Sequence, residues 1–323
     1  MKFRTEIEVP ELSNKLDYSS KALFIGSCFT ANMGEYLQQY KFRVNINPFG
    51  VLYNPGSIFS GLNMLLNDKQ FTADDLHYQN GLWFSYSHHS SFSSPDKDEC
   101  LQKINSSIKL SSEFLKQTGF LFITLGTAWS YSLKVNKHEV ANCHKTPAKE
   151  FERFLIEVDE IIERFRYFFN ALKKINPSVK VIFSVSPIRH LKDGAHENQI
   201  SKSTLLLGIN KIQEDFDDCF YFPAYELLLD DLRDYRFYAD DMCHPSKQAV
   251  EYIWNKFRDA VIEKSCTPVM KEIDAIVAAA NHRPFNAHTP QHKYFQQKTI
   301  GKINKLKAEY PFMDFTRELK ILS

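Results

Sequence analysis

The sequence has no apolar run near the ~18 residues that a membrane-spanning helix requires, and residues 1–16 contain no apolar stretch typical of a secretory signal. We therefore expect a cytoplasmic protein with no membrane partner. The chain also lacks an excess of either charge, since 40 basic and 39 acidic residues leave a net charge of +1. This balance argues against a nucleic-acid partner, which a broad basic surface would indicate.

Glycine and proline are too few, at 11 and 13 of 323 residues, for a low-complexity chain. The six cysteines are scattered without a C-x-x-C pair, which favours free thiols over disulfides or a zinc site. The sequence is rich in apolar residues instead, because 43% are hydrophobic and 27 are phenylalanine. A chain of this length and composition can bury a large, phenylalanine-rich core without cross-links.

Short apolar runs alternate with longer helical patterns along the chain. Five runs predict strands, at 21–26, 42–47, 120–126, 180–186 and 219–223. Continuous apolar strands separated by helices are typical of a parallel sheet that is covered on both faces. The pattern therefore predicts a three-layer α/β/α domain with about five strands, which we place at residues 1–266.

The helical patterns lie at 29–40, 98–117, 146–175, 198–217 and 246–264. In the third of them, Thr146 is the expected N-cap and Pro147 the first helical residue. Residues 50–119 form a long insertion, in which we expect a small subdomain or lid whose aromatic part, 77–92, faces the site. Residues 267–323 are a tail with helices near 268–281 and 291–309, and the tail could pack on the domain or mediate an oligomer.

Ligands bind open parallel sheets beyond the carboxyl ends of the strands, so the residues that follow each strand are candidates for a site. Ser27 follows the first strand at a strand-to-helix turn, where its hydroxyl would project over the sheet edge. The competing interpretation is a simple N-cap. Asp241 and His244 are three residues apart before the last helix of the domain. At that spacing a carboxylate can orient an imidazole for general-base catalysis, although many such pairs are solvated turns.

Other candidates follow the third and fourth strands. Gly126 and Thr127 come after the third strand, and Arg189 and His190 come after the fourth. Together with His144 they are expected to line a substrate pocket. An arginine is suited to bidentate binding of a carboxylate or phosphate. Each of these residues alone is more often a structural hydrogen-bonding group.

Residues 26–30, GSCFT, resemble the signature of the GSCFA family, with Thr30 in place of the final alanine. Further segments that resemble this family are LGTAWSY at 125–131, VANCHK at 140–145, SPIRH at 186–190, DMCHPS at 241–246 and RPFN at 283–286. The family is similar to the SGNH or GDSL-like hydrolases, which have a flavodoxin-like α/β/α fold and a Ser-His-Asp site. The resemblance implies that Ser27 is the nucleophile, His244 the base and Asp241 its orienting carboxylate.

The sequence departs from those hydrolases at two places. They usually carry Gly-Asp-Ser at the nucleophile, whereas Gly26 precedes Ser27 here. Their third block supplies an asparagine to the oxyanion, and residues 126–129 contain none. Asn142 is the best substitute, with a turn-forming role as the alternative. The amides of Ser27 and Gly50 would complete the oxyanion site, and a turn after Pro48 is the other interpretation of Gly50.

We therefore expect a serine hydrolase of the SGNH type that acts as an esterase on a small-molecule or glycan ester, with a polar O-acyl substrate. The mechanism requires no metal and no organic cofactor. If a sugar replaced water as the acceptor, the protein would be an acyltransferase. A non-catalytic binding protein on the same fold is a second alternative. A thiol enzyme that uses Cys28 is a third.

Overall fold

The computed structural model describes residues 4–282 and 289–322. The RPFN segment at 283–286 lies outside the described residues. The strands are β1 Lys21–Gly26, β2 Arg43–Ile46, β3 His77–Gln79, β4 Leu82–Phe84, β5 Phe120–Leu125, β6 Trp129–Leu133, β7 Glu139–Val140, β8 Phe151–Leu155, β9 Lys180–Val185 and β10 Cys219–Tyr221. The helices are α1 Cys28–Gln39, α2 Pro55–Leu66, α3 Lys97–Leu115, α4 Val158–Ile175, α5 Ala195–Asp215, α6 Ala224–Glu226, α7 Lys247–Val261, α8 Thr267–Asn281, α9 Pro290–Glu309 and α10 Thr316–Leu322.

A five-stranded parallel sheet forms the middle layer, in the order β10-β9-β5-β1-β2. Counted along the chain, this is the 2-1-3-4-5 order of flavodoxin-like folds. The five predicted strands and the α/β/α fold class are confirmed. The carboxyl ends of β1, β5 and β9 are neighbours in this order, so the residues that follow them meet at one edge of the sheet.

The two faces of the sheet bury different residues of the same strands, because successive side chains point in opposite directions. Leu23 and Ile25 of β1 pack with α2, α3, α4 and α5. Ala22 and Phe24 pack on the other face, with α1 and α7 and with apolar residues of the tail helices. The tail therefore packs on the domain, and an oligomer formed through it stays a prediction.

The predicted helix start at Thr146 is wrong. The helix begins at Val158, and residues 151–155 instead form strand β8, which pairs with β6 in a three-stranded antiparallel sheet, β7-β6-β8. The spacing of three between Phe151 and Phe154 favours a helix over a strand, in which side chains alternate with a period of two. Pairing with β6 decides between the two, and this pairing is a tertiary contact that local propensity does not contain.

The segment 50–119 contributes two helices to the layer that covers one face of the sheet, because Ile58 of α2 and Ile104 of α3 belong to the same core cluster as Leu23 and Ile25. The part between these helices carries the β3–β4 hairpin. Its residue Tyr86 accepts hydrogen bonds from the backbone at Ala141 and Asn142. The domain limits and the lid role of 77–92 stay predictions. Within the described ranges, no helix is both long and apolar enough to cross a bilayer.

Candidate active site

Ser27 lies at the junction of β1 and α1, where Gly26 makes a close backbone approach possible. Gly26 has a φ of +142°, and a Cβ atom there would lie 2.2 Å from the Thr124 carbonyl oxygen of β5. Only glycine fits this conformation and this contact. The turn puts Ser27 at the N-cap position of α1, yet its side chain makes no capping hydrogen bond.

The Ser27 hydroxyl is buried, since the residue is only 1% exposed. Its Oγ forms no hydrogen bond with any residue that the structure describes. A buried hydroxyl without a hydrogen-bond partner destabilises a fold by about 1–3 kcal/mol, so Ser27 is unfavourable for stability at this place. Its amide makes one long hydrogen bond, 3.3 Å to the Thr124 oxygen.

Asp241 and His244 form the hydrogen-bonded pair that their spacing predicts. Asp241 Oδ2 lies 2.5 Å from His244 Nδ1, and Oδ1 accepts from the amides of Cys243 and His244 at 3.0 and 2.9 Å. These bonds, the His244 amide first, lower the pKa of Asp241 to about 2. An ionised carboxylate keeps the proton on Nδ1, which leaves Nε2 as the acceptor on a ring that is half-exposed.

The loop of this pair packs against the loop that follows β9. The Cys243 thiol donates to the Arg189 carbonyl oxygen at 2.9 Å. His244 and Ser27, by contrast, share no hydrogen bond in the described part of the chain. The structure therefore brings Asp241 and His244 together beside the 186–190 loop, and it does not join them to Ser27.

His190 and Tyr53 are in contact with each other at this edge of the sheet. The His190 ring stands edge-on to Tyr53, with centroids 5.8 Å apart, and the Tyr53 hydroxyl lies 3.7 Å from Cys28 Sγ. Burial, with a contribution from Lys202, lowers the pKa of His190 to about 4, so its ring is neutral at pH 7. The Tyr53 carbonyl accepts from the Gly126 amide at 2.6 Å. Tyr53 thus connects the ends of β1, β5 and β9.

Arg189 is exposed, and its guanidinium pairs with no carboxylate in residues 4–282 or 289–322. It is therefore free to bind a ligand. Thr127 differs, because its buried hydroxyl is bonded to Ser201 at 3.0 Å. His144 is also occupied, since its Nε2 donates to the Ser85 and His88 carbonyl oxygens at 3.0 Å each. Thr127 and His144 thus hold neighbouring segments together, and their substrate role stays a prediction.

Two of the expected oxyanion donors, Gly50 and Asn142, already make hydrogen bonds within the protein. The Gly50 amide donates to the Asn47 oxygen at 2.7 Å, and a Cβ at Gly50 would lie 2.3 Å from that of His89. Gly50 therefore closes a turn, and its oxyanion role stays a prediction. Asn142 Oδ1 accepts from the His144 amide at 2.9 Å, which is an Asx turn. Its Nδ2 makes no bond with a described residue, so the oxyanion role of Asn142 stays a prediction.

Two family models match this chain. The model of the GSCFA family covers residues 21–257, and that of the C-terminal domain of GSCFA domain proteins covers residues 273–323. The chain belongs to the GSCFA family.

A search of curated proteins finds no match for this GSCFA protein. Among solved structures it is similar to an acetyl xylan esterase from the rumen bacterium Butyrivibrio proteoclasticus, at 13% identity and a TM-score of 0.36. The similarity covers 76% of this chain and 66% of that enzyme, which is just under two thirds of the enzyme's length. A likeness at this level does not assign an activity.

All six cysteines of the GSCFA protein are free thiols, as their scatter predicts. In the residues that the structure describes, no group of three or more His, Cys, Asp or Glu side chains could hold a metal ion. Sequence reasoning missed Tyr53 and Lys202 at this edge of the sheet. Tyr53 had one available signal, since it follows the second strand in the same loop as Gly50. Lys202 had none, because a lysine in a helical pattern ordinarily indicates a solvated face.

Proposed function

We propose that this GSCFA protein is a serine esterase of the SGNH type that removes an O-acyl group from a polar small molecule or a glycan. The observation that carries the proposal is the pair of Asp241 and His244, with an ionised carboxylate on Nδ1 and an accessible Nε2. This pair lies at the carboxyl edge of the parallel sheet, where Ser27 also lies. A nucleophile, a base and an orienting carboxylate are the parts that acyl transfer requires.

In the proposed mechanism, Ser27 Oγ attacks the ester carbonyl while His244 Nε2 takes its proton. His244 then returns the proton to the leaving alcohol, and Asp241 stabilises the imidazolium that forms in between. Water releases the acyl group from Ser27 by the same path. The Ser27 amide and Asn142 Nδ2 are the proposed oxyanion donors.

The missing hydrogen bond between Ser27 and His244 is compatible with this mechanism. Catalytic hydrogen bonds are often long before substrate binds and tighten only in the complex. Ser27 also has no competing partner for its hydroxyl, so the hydroxyl can turn towards the base without breaking a bond.

Arg189 is the proposed contact to the substrate, because it is exposed and unpaired beside the Cys243–His244 turn. An arginine there would hold a polar or anionic group of the leaving alcohol. His190, neutral and half-buried, offers a hydrogen-bonding edge next to it.

One observation favours a second candidate, a non-catalytic binding protein. The Ser27 hydroxyl is buried and unbonded to His244, which is also what a fold that has lost turnover would show. Under that alternative, the free Arg189 would still bind a ligand at the sheet edge.

A screen of short-chain acyl esters and acetylated sugars separates these functions. The esterase proposal predicts hydrolysis that is lost in Ser27→Ala and in His244→Ala but retained in Cys28→Ala. Loss in Cys28→Ala with activity in Ser27→Ala would indicate a thiol enzyme instead. Saturable binding of an ester without hydrolysis would indicate the binding protein.

A further inference from the structure

Lys202 of α5 is almost completely buried, at 1% exposure, although it carries an ammonium group. Its Nζ donates to the carbonyl oxygens of Gly126 and Ser186, at 2.7 Å each. These are the first residues after β5 and β9 at the carboxyl edge of the sheet. No acidic side chain pairs with Lys202 in the described ranges, so its hydrogen-bond partners are two strand ends, and its Nζ also lies 5.7 Å from the centroid of the Tyr225 ring.

Lys202 is part of a larger contact between α5 and the same two loops. Asn198 Oδ1 accepts from the His190 amide at 2.9 Å, and Ser201 Oγ accepts from the Ala128 amide at 2.8 Å. Residues spaced by three and four share one face of a helix. One face of α5 therefore holds the backbone after β5 and after β9 through three side chains.

Burying the ammonium group is unfavourable. Burial lowers the pKa of Lys202 to about 7 from an ordinary value of 10.5. An apolar side chain would fill the same space without this desolvation cost. The contacts to Gly126 and Ser186 are what an apolar residue could not supply.

The loop that Lys202 holds leads to the candidate base. Ser186 begins the 186–190 loop, and the carbonyl of Arg189 in that loop accepts the thiol of Cys243. Cys243 precedes His244 directly. The turn that carries the Asp241–His244 pair thus contacts a loop whose first carbonyl is bound by Lys202.

We propose that Lys202 is a positioning residue, which fixes the ends of β5 and β9 and, through the 186–190 loop, sets the place of the Asp241–His244 pair. Its effect on turnover rests on the proposed esterase function. Its effect on the loop does not rest on that function, so the positioning role and the esterase function can fail separately.

The test compares Lys202→Met with Lys211→Met, a matched control at an exposed position of the same helix, where the lysine pairs with Glu214. The first measurement is the alkylation rate of each cysteine by iodoacetamide, resolved by mass spectrometry. In Lys202→Met, Cys243 should react about tenfold faster, the factor expected when hydrogen bonds that close a local segment are lost. The buried Cys100 should keep its wild-type rate, and Lys211→Met should change neither rate.

The second measurement is the rate at which a fluorophosphonate probe labels Ser27. A displacement of catalytic groups by about 1 Å costs on the order of 10²-fold, so labelling should fall by between ten- and a hundredfold in Lys202→Met. If wild-type protein is not labelled, the esterase function fails, and the Cys243 rate still decides the positioning role.

Equal acceleration of Cys243 and Cys100 would mean that Lys202 only stabilises the fold, which overturns the proposal. An unchanged Cys243 rate would overturn it as well. Should Lys202→Met fail to fold, Lys202→Gln replaces it, because a shorter, neutral side chain there also removes the ammonium group that binds both carbonyl oxygens. Faster alkylation of Cys243 with an unchanged rate for Cys100 again supports the proposal. An equal change in the two alkylation rates, or no change, opposes it.

Discussion

Acidification should destabilise the fold through His88, a histidine with no exposed surface. Its ring lies among Phe49, Phe71 and Phe92, with centroids 5.0 Å away in each case. Neither ring nitrogen has a hydrogen-bond partner in the described part of the chain. Burial, with a smaller contribution from nearby His144, lowers the pKa of His88 to about 3.

The sign of the effect follows from the two pKa values. His88 has an ordinary pKa of 6.5 when unfolded and about 3 when folded. Between these values the unfolded state binds the proton more tightly. The contribution of His88 to stability is therefore complete above pH 6.5 and is lost progressively as the pH falls towards 3. Each pH unit in this window costs about 1.4 kcal/mol, and a drop to pH 5 costs about 2 kcal/mol.

Urea unfolding of wild type and His88→Leu between pH 7 and pH 5 measures this contribution. The leucine keeps the site apolar and cannot titrate, so any packing cost is the same at each pH. The free energy of unfolding should fall more steeply in wild type, by about 1.4 kcal/mol per pH unit near pH 5. His89→Leu, a change at an adjacent residue outside this ring cluster, is the control and should keep most of the wild-type slope. Equal slopes for wild type and His88→Leu would refute the reasoning.

Three further predictions concern the sheet edge and the site. Gly26→Ala should lower the free energy of unfolding by about 3 kcal/mol or more, because its Cβ would meet the Thr124 oxygen at 2.2 Å. Gly301→Ala, with open space around it, should raise the free energy of unfolding by about 0.5–1 kcal/mol. Urea midpoints equal to that of the wild type would contradict both predictions. Asn142→Ala should keep the fold by circular dichroism and lower ester turnover about 10²–10³-fold, whereas wild-type turnover would remove Asn142 from the site. Asp241→Asn should lower turnover by up to about 10⁴-fold through a misoriented His244, and a loss below tenfold would make this carboxylate dispensable.

The central strands β1, β5 and β9 could be predicted because they are buried on both faces and therefore appear as continuous apolar runs. The edge strands β2 and β10 are less buried and are shorter. The run 120–126 contains β5, and its residues are buried throughout the strand. The small sheet could not be predicted in the same way. Its strand β8 carries Phe151 and Phe154, whose spacing of three fits a helix, and only the pairing with β6 makes this segment a strand.

In the candidate site, too, contacts between residues close together in the chain could be predicted, and contacts between distant residues could not. The hydrogen bond of Asp241 to His244 spans three residues, so the spacing alone could predict it. Lys202 reaches Gly126 across 76 positions of the chain, and no local pattern contains that contact. The Gly50 amide, a predicted oxyanion donor, closes a turn with Asn47, and the preceding Asn47 and Pro48 already indicated that turn.

The central claim is that Ser27 is a nucleophile that depends on His244. Labelling by a fluorophosphonate probe, with the modified residue identified by mass spectrometry, tests it most directly. The account predicts that the probe modifies Ser27 in the wild type, that Ser27→Ala and His244→Ala abolish labelling, and that Cys28→Ala retains it. An unlabelled wild-type protein, or a Ser27 that is labelled equally well in His244→Ala, would contradict the account.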